Sequence, residues 1–369
     1  MKFFSKKSVF FACALLVFSF FSCSENSGSL TAAFIFPGSV KSDDFCIAHN
    51  LGRIALEKNN IRTMYAENVS ADENCSLLIE EFINLGCNLI YSCANEFEPY
   101  VRKMAEKYPN VKFAQYGFYK TAPNLETFCA DTSTALYLSG IVAAKKSEEI
   151  DKDIDRNRIG YVASFPSEDV VLGINAFTLG VLSVNPDAII DLVFVKDWNN
   201  RQKEKACAEF LINSGCHTLS YYLDTDEVLK TASKHKVFCT AFNVPSPFYV
   251  SRKEIDAYLT SVIINWSDFY LKDAQKAQNG KWKARNFCGG PESDFVNLDR
   301  LTKSCSDETK SYVENVKTEL LSGNKQVFEG PIYSNKNKLL VENEKTASAF
   351  DSELRKSFVR GIYELAPEF

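Results

Sequence analysis

The stretch Gly160–Gly180, GYVASFPSEDVVLGINAFTLG, decides how the rest of the chain is read. It runs as an apolar strand, breaks at Pro166 into a short acidic loop, and resumes as a helix of small and apolar residues. The same order stands near the start of the chain, where LTAAFIFPG is followed by the acidic SVKSDD and then by the helical FCIAHNLGRIALEKNN. The pairs Phe36-Pro37 and Phe165-Pro166 lie 129 residues apart (166 − 37). Further on, EEFINLGCNLIYSCANE matches AEFLINSGCHTLSYYLDTDE, and Gly86 and Gly215 keep the offset of 129. One unit therefore occurs twice.

Each copy continues as helix, Gly-Cys, strand, loop, helix and strand. Short strands of about four to eight residues alternating with helices of about ten to fifteen imply βαβ units on a parallel sheet, hence an α/β fold. In such sheets ligands sit outside the carboxyl ends of the strands. Two such lobes facing each other make a cleft, with the loops PGSVKSDDF and FPSED as its jaws. The strand-to-helix loops carry acids and aromatics (Asp43, Asp44, Phe45; Glu168, Asp169; Tyr221, Tyr222, Asp224) where a purely structural loop favours Gly, Asn and Pro. That favours facing lobes over a tandem copy packed back to back.

With 46% hydrophobic and 24% charged residues, the 369-residue chain reads as an ordinary globular protein, long enough for two packed domains. The N-terminus differs. Lys2, Lys6 and Lys7 precede an apolar run from Val9 to Phe21 that is short of the roughly 20 residues a membrane-spanning helix needs, so it reads as a signal peptide. Phe20-Phe21-Ser22-Cys23 resembles a bacterial lipobox, in which the cysteine is lipidated and becomes the first residue; SENSGS then serves as a polar tether. The expected mature chain is anchored by lipid alone, outside the cytoplasm, facing the periplasm or the exterior. Its formal charge becomes −8 (39 basic, 47 acidic residues), which argues against nucleic acid as a partner.

Of twelve cysteines, ten remain after Cys13 leaves and Cys23 takes lipid. Several, such as Cys87, Cys129 and Cys239, sit in apolar runs where cysteine acts as a small hydrophobe, so few or no disulfides are expected. No CxxC occurs, and His49, His217 and His235 have no metal-ligand spacing, so no metal or cofactor is expected. GxSxG, Walker, GxGxxG and HExxH signatures are absent, and no enzyme is expected. Asp43 and Asp44 start a helix, where capping of the free amides is the stronger reading and does not exclude ligand contact by one of the two.

Several blocks carry a family resemblance: GYVASFPSEDVVLGINAFTLGVLSVNPDA, KDWNNRQKEKACAEFLINSG, INWSDFYLKDAQKAQNGKW and GNKQVFEGPI. From about Leu30 to its end the chain resembles the basic membrane protein family of ABC-transporter substrate-binding lipoproteins, which includes the purine-nucleoside receptors. The resemblance implies a type I periplasmic-binding fold, two Rossmann-like lobes closing on a ligand cleft. It further implies a purine nucleoside, nucleobase or similar flat heterocycle as ligand, an ABC permease as partner, and a monomer. The same fold could instead serve a surface lipoprotein working as a sensor or host-interaction module.

Carried over by motif, the resemblance assigns Asp43 or Asp44 and then Phe45, which replaces the branch's usual Trp, to the first loop. Tyr116 stands where the nucleoside receptors carry an Asp for ribose, which favours a bare base. Tyr221 or Tyr222 falls near the second stacking position, and adjacent strand residues point to opposite faces, so at most one lines the cleft. Asp224 follows in that loop, Asn243 sits at a crossover, and Trp266 corresponds to the branch's Asn-Trp pair. Phe165 and Trp198 are pocket walls or, ending apolar strands, core. Trp266 fits core equally, because Ile263, Ile264 and Phe269 share its inward face in a predicted helix.

The expected organisation is signal peptide 1–22, lipidated Cys and tether 23–29, lobe one 30–147 with a return over about 247–280, and lobe two 158–246 with about 281–369. SEEIDKDIDRNR reads as a solvated link. EIDAYLTSVIINWSDFYLKDAQKAQNG is predicted as a helical return, followed by a helix near Tyr312–Leu321, a strand at VFEGPI and a terminal helix.

Overall fold

The computed structural model describes residues 30–150, 158–243 and 256–367. The signal peptide, Cys23 and the tether lie outside the described residues, as does most of the charged link. The chain forms two compact units. Within the described residues, the first holds 30–40, 55–127 and 272–286, and the second holds 41–54, 128–271 and 287–367.

The first unit contains strands β1 (Thr31–Ile35), β2 (Arg62–Ala66), β3 (Leu89–Ser92) and β4 (Lys112–Tyr116) with helices α2 (Glu73–Asn84) and α3 (Glu98–Lys107), while helix α1 (Asp44–Lys58) and strand β5 (Leu125–Ala130) each belong partly to the second. β1 pairs in parallel with β2 and β3, and β3 with β4. With β11 (Asn286–Gly289) the sheet order is β11-β5-β4-β3-β1-β2. Ile35, Ile79, Phe82, Ile90, Phe97 and Phe113 fill its core without exposure. Each such side chain contributes roughly 1.5–3 kcal/mol by leaving water.

The second unit repeats the order. β6 (Arg158–Ala163), α5 (Glu168–Leu182), β7 (Ile189–Phe194), α6 (Arg201–Asn213), β8 (Thr218–Tyr222), α7 (Glu227–His235) and β9 (Phe238–Asn243) give β9-β8-β6-β7, the counterpart of β4-β3-β1-β2. Gly86 and Gly215 both follow their helices with φ near 90° (91° and 96°), a left-handed turn that glycine adopts without Cβ strain. The sheet is extended by β10 (Tyr258–Ile264), parallel to β9, and by β12 (Val296–Leu298), antiparallel to β10. Helix α4 (Ser133–Ile150) packs along α5 at a glycine crossing: a Cβ on Gly140 would sit 2.0 Å from the Phe177 carbonyl oxygen, and one on Gly180 1.9 Å from that of Tyr137.

Three predicted elements are corrected, the first being the strand expected at VFEGPI, of which only Ile332 enters a strand while the rest is turn with one isolated bridge. The segment expected as one helical return contains β10 before helix α8 (Trp266–Gln278) begins, so Ile263 and Ile264 belong to a strand. A short apolar run carries no period that separates a buried strand from a buried helix. The expected terminal helix is absent among the described residues. After α9 (Asp307–Leu321), a small hairpin of β13 (Ile332–Tyr333) and β14 (Leu339–Val341) leads to β15 (Ile362–Leu365), which pairs in parallel with β7. Between them, buried Asn175 of α5 donates to the carbonyls of Leu354 (2.7 Å) and Ser357 (2.8 Å) and accepts from the amide of Val359 (2.9 Å). Those non-local bonds hold the segment without helix formation.

Candidate functional site

The loops after β6, β7 and β8 and the end of β9 open at the carboxyl ends of the second unit's strands, the position at which parallel sheets take ligands. The start of α1 joins them. Asp43 caps α1, its Oδ1 accepting from the Cys46 amide at 2.9 Å, and its Oδ2 accepts from Asn199 Nδ2 at 3.3 Å in the loop after β7. The Asp44 amide donates to the Asp224 carbonyl at 2.7 Å, and the Asp224 amide to the Trp198 carbonyl at 3.1 Å. Asn243, last residue of β9 and held at φ 81°, donates to Asp224 Oδ1 at 3.4 Å. One network thus joins Asp43, Asp44, Trp198, Asp224 and Asn243.

Cations support it from beneath. Arg201 Nη1 donates to Asp226 Oδ1 at 2.7 Å and Nη2 to the Ser42 carbonyl at 3.2 Å, while Lys230 reaches Asp226 at 2.9 Å. Burial drives the Asp44 carboxyl well above its ordinary range; the charges of Asp226 and Asp43 push the same way, and Arg201 and Lys230 oppose them. Burial also raises Asp43, against the bonds it accepts from Cys46 and Asn199. Glu204, fully buried and pushed up to about 7 by desolvation, accepts from the Asn200 amide at 3.0 Å and from the Thr225 hydroxyl, fastening the loop after β7 to the loop after β8.

The aromatic candidates divide. Phe165 and Trp198 each remain 38% exposed, with ring centroids 6.2 Å apart. Tyr222 is half-buried and stacks on Phe242 at 4.0 Å, whereas Tyr221 points to the opposite, buried face. Phe45 is half-buried and meets His49 edge-on at 4.4 Å. His49 in turn stacks on Trp266 at 4.1 Å, and its Nδ1 shares a 2.6 Å hydrogen bond with the Tyr270 hydroxyl. Trp266 is buried, with Phe128 and Phe295 set edge-on to it. Burial holds His49 well below its ordinary range, so the ring is neutral and works as a packing surface. Tyr116 ends β4 in the first unit, half-buried, before Gly117 at φ 114°.

Glu168 and Asp169, read from sequence as loop acids, occupy the first turn of α5 and are paired by Arg355 at 3.1 and 2.6 Å. Asn199, Arg201, Glu204, Asp226 and His49 were not singled out by sequence. Only His49 had a local signal, standing four residues after Phe45 on the same helix face. The others are paired across loops distant in sequence. A groove of about 580 Å³ bordered by Arg300, Lys303, Lys310 and Lys317 includes none of the candidate residues. No helix of the described residues is long and apolar enough to cross a membrane.

Residues 29–330 match the family described as ABC transporter substrate-binding protein, PnrA-like. A purine-binding protein of Brucella abortus is 29% identical over 306 residues, covering 82% of this chain and 84% of its own. A putative ABC transporter glucose-binding protein of Haloferax volcanii is 26% identical over 336 residues, covering 90% and 80%. Among solved structures, an ABC transporter solute-binding protein from Conexibacter woesei superposes with a TM-score of 0.67 at 18% identity, covering 81% of this chain and 98% of that one, and shares the type I periplasmic-binding fold. With parallel sheets, a duplicated strand order and a match across most of its length, the chain belongs to the PnrA-like family of ABC transporter substrate-binding proteins.

Proposed function

We propose that this substrate-binding protein takes a flat, neutral heterocycle, a purine nucleobase or nucleoside, at the carboxyl-end loops of its second unit, and that it works as a lipoprotein anchored through Cys23. The observation that carries the ligand class is the exposed pair Phe165 and Trp198 beside the Asp43–Asn199 and Asp224–Asn243 hydrogen bonds. Large aromatic faces left in water next to a few fixed polar groups suit stacking on a ring whose edge is hydrogen-bonded. Carboxyls held toward their neutral forms, as burial does to Asp43 and Asp44, can donate to a ring nitrogen as well as accept, without an unpaired charge to repel a neutral guest. Phe45 and Tyr222, both half-buried, add aromatic surface to this reading, whereas Trp266 is buried behind His49. The purine-binding relative supports the same class, and the relative described as glucose-binding names the competitor to exclude.

Titration calorimetry of the purified chain against adenine, guanine, their nucleosides and glucose tests the proposal. Saturable binding of a purine compound is expected, with Trp198→Ala weakening it by about 1–3 kcal/mol, the value of one base-stacking face. Glucose binding with no response to any purine compound would overturn it. For the anchor, Cys23→Ser is expected to move the protein from the membrane fraction to the soluble exported fraction.

A further inference from the structure

Ten cysteines are described; eight are buried, and two, Cys129 and Cys288, are partly exposed. Their register follows from the backbone. The Thr127 amide donates to the Arg285 carbonyl at 3.0 Å and the Asp131 amide to the Gly289 carbonyl at 2.7 Å, so β5 and β11 advance together in parallel. A residue in a parallel pair bonds the two neighbours of its partner. Thr127 therefore stands opposite Asn286, to which its hydroxyl donates at 2.8 Å, and Cys129 stands opposite Cys288. Their side chains share a face of the sheet, and the neighbouring Cys288 together with burial pushes the Cys129 thiol up from its ordinary range. Adjacent strands place paired Cα atoms about 4.8 Å apart, inside the roughly 4.4–6.8 Å that a disulfide spans.

We propose that Cys129 and Cys288 form a redox-responsive thiol pair that closes to a disulfide between β5 and β11. Proteins of this family work outside the cytoplasm, where disulfides persist once made. A low-molecular-weight disulfide serves as oxidant. The Cys288 thiolate attacks one of its sulfurs, forming a mixed disulfide and releasing one thiolate. Cys129 then loses its proton and attacks the Cys288 sulfur, forming the internal bond and releasing the second thiolate. Two cysteine thiols and one small disulfide become one protein disulfide and two small thiols. The order follows from the environment: the Cys288 group beside it and burial raise the Cys129 thiol, which disfavours it as first attacker and leaves it to resolve the intermediate. The chain passes between the two compact units at Thr127–Phe128 and at Asn286–Phe287, two residues or fewer from each cysteine. The closed pair therefore ties two connecting segments to one another.

The test reads sulfur chemistry and does not depend on which ligand binds. The reduced full chain is incubated with oxidised glutathione, its remaining thiols are alkylated, and peptides are mapped by mass spectrometry. A peptide cross-linked through Cys129 and Cys288 is expected, reverting to two alkylatable thiols on reduction. Cys129→Ser is expected to trap a stable glutathione adduct on Cys288, and Cys288→Ser to leave Cys129 at least tenfold slower to modify. Recovery of Cys129 and Cys288 as free thiols after oxidation of the native chain, or a cross-link between other cysteines, overturns the proposal. An adduct forming faster on Cys129 than on Cys288 overturns the order of attack.

Discussion

Phe36 and Phe165 occupy equivalent positions in the two copies of the repeat, each following a central strand and preceding a proline, yet they meet opposite fates. Phe36 is fully buried, with Tyr65 edge-on at 6.1 Å, while Phe165 stands 38% exposed against Trp198. The acids that follow diverge as well: Asp43 and Asp44 are buried, whereas Glu168 and Asp169 lie open and are held by Arg355. Duplication preserved the backbone path and not the environment. The C-terminal segment, outside the repeat, brings Arg355 and β15 to the second copy. A side chain left exposed at the carboxyl end of a strand is free to meet a ligand; its buried twin is committed to the core.

The largest expected effect breaks the comparison directly. Phe36→Ala should cost about 3–5 kcal/mol of stability, the usual result of emptying a buried aromatic site, while Phe165→Ala should cost less than about 1 kcal/mol; urea denaturation of both variants measures the difference. Equal losses would show that exposure does not separate the copies. Next comes pH. Because burial raises Asp44 well above its ordinary 3.8, the folded chain keeps a proton that the unfolded chain has lost. Its contribution is full below that ordinary value and is lost as pH rises through the raised one, at up to about 1.4 kcal/mol per pH unit. Asp44→Asn should flatten that part of a stability-against-pH profile, and an unchanged slope would contradict the assignment. The smallest effect is expected of Arg355→Ala, which removes ion pairs to two acids that are more than half exposed and so should cost about 0–1 kcal/mol by thermal unfolding.

The fold was legible where the signal is local or repeated. The offset of 129 and the alternation of strand and helix reappear in the matching sheet orders, and the turn glycines Gly86 and Gly215 carry the same φ. β10 was not legible, because Tyr258–Ile264 is a seven-residue apolar run without a period of its own. The terminal strand was missed because its place is set by pairing with β7, some 170 residues earlier in sequence, and by Asn175. At the candidate site, residue types at the loop positions were readable, whereas their partners were not: nothing near Asp43 in sequence announces Asn199, and nothing near Asp226 announces Ser42, to which it is linked through Arg201. Sequence locates the loops; long-range pairing decides which of their side chains are spent on each other.

The family match ends at residue 330, but the second sheet does not. Without the last stretch, β7 would become an edge strand, presenting the run IIDLVF with one row of amides and carbonyls unsatisfied. Such rows recruit other chains, so a version trimmed to the family boundary should self-associate even though the loops at the carboxyl ends of its strands are intact.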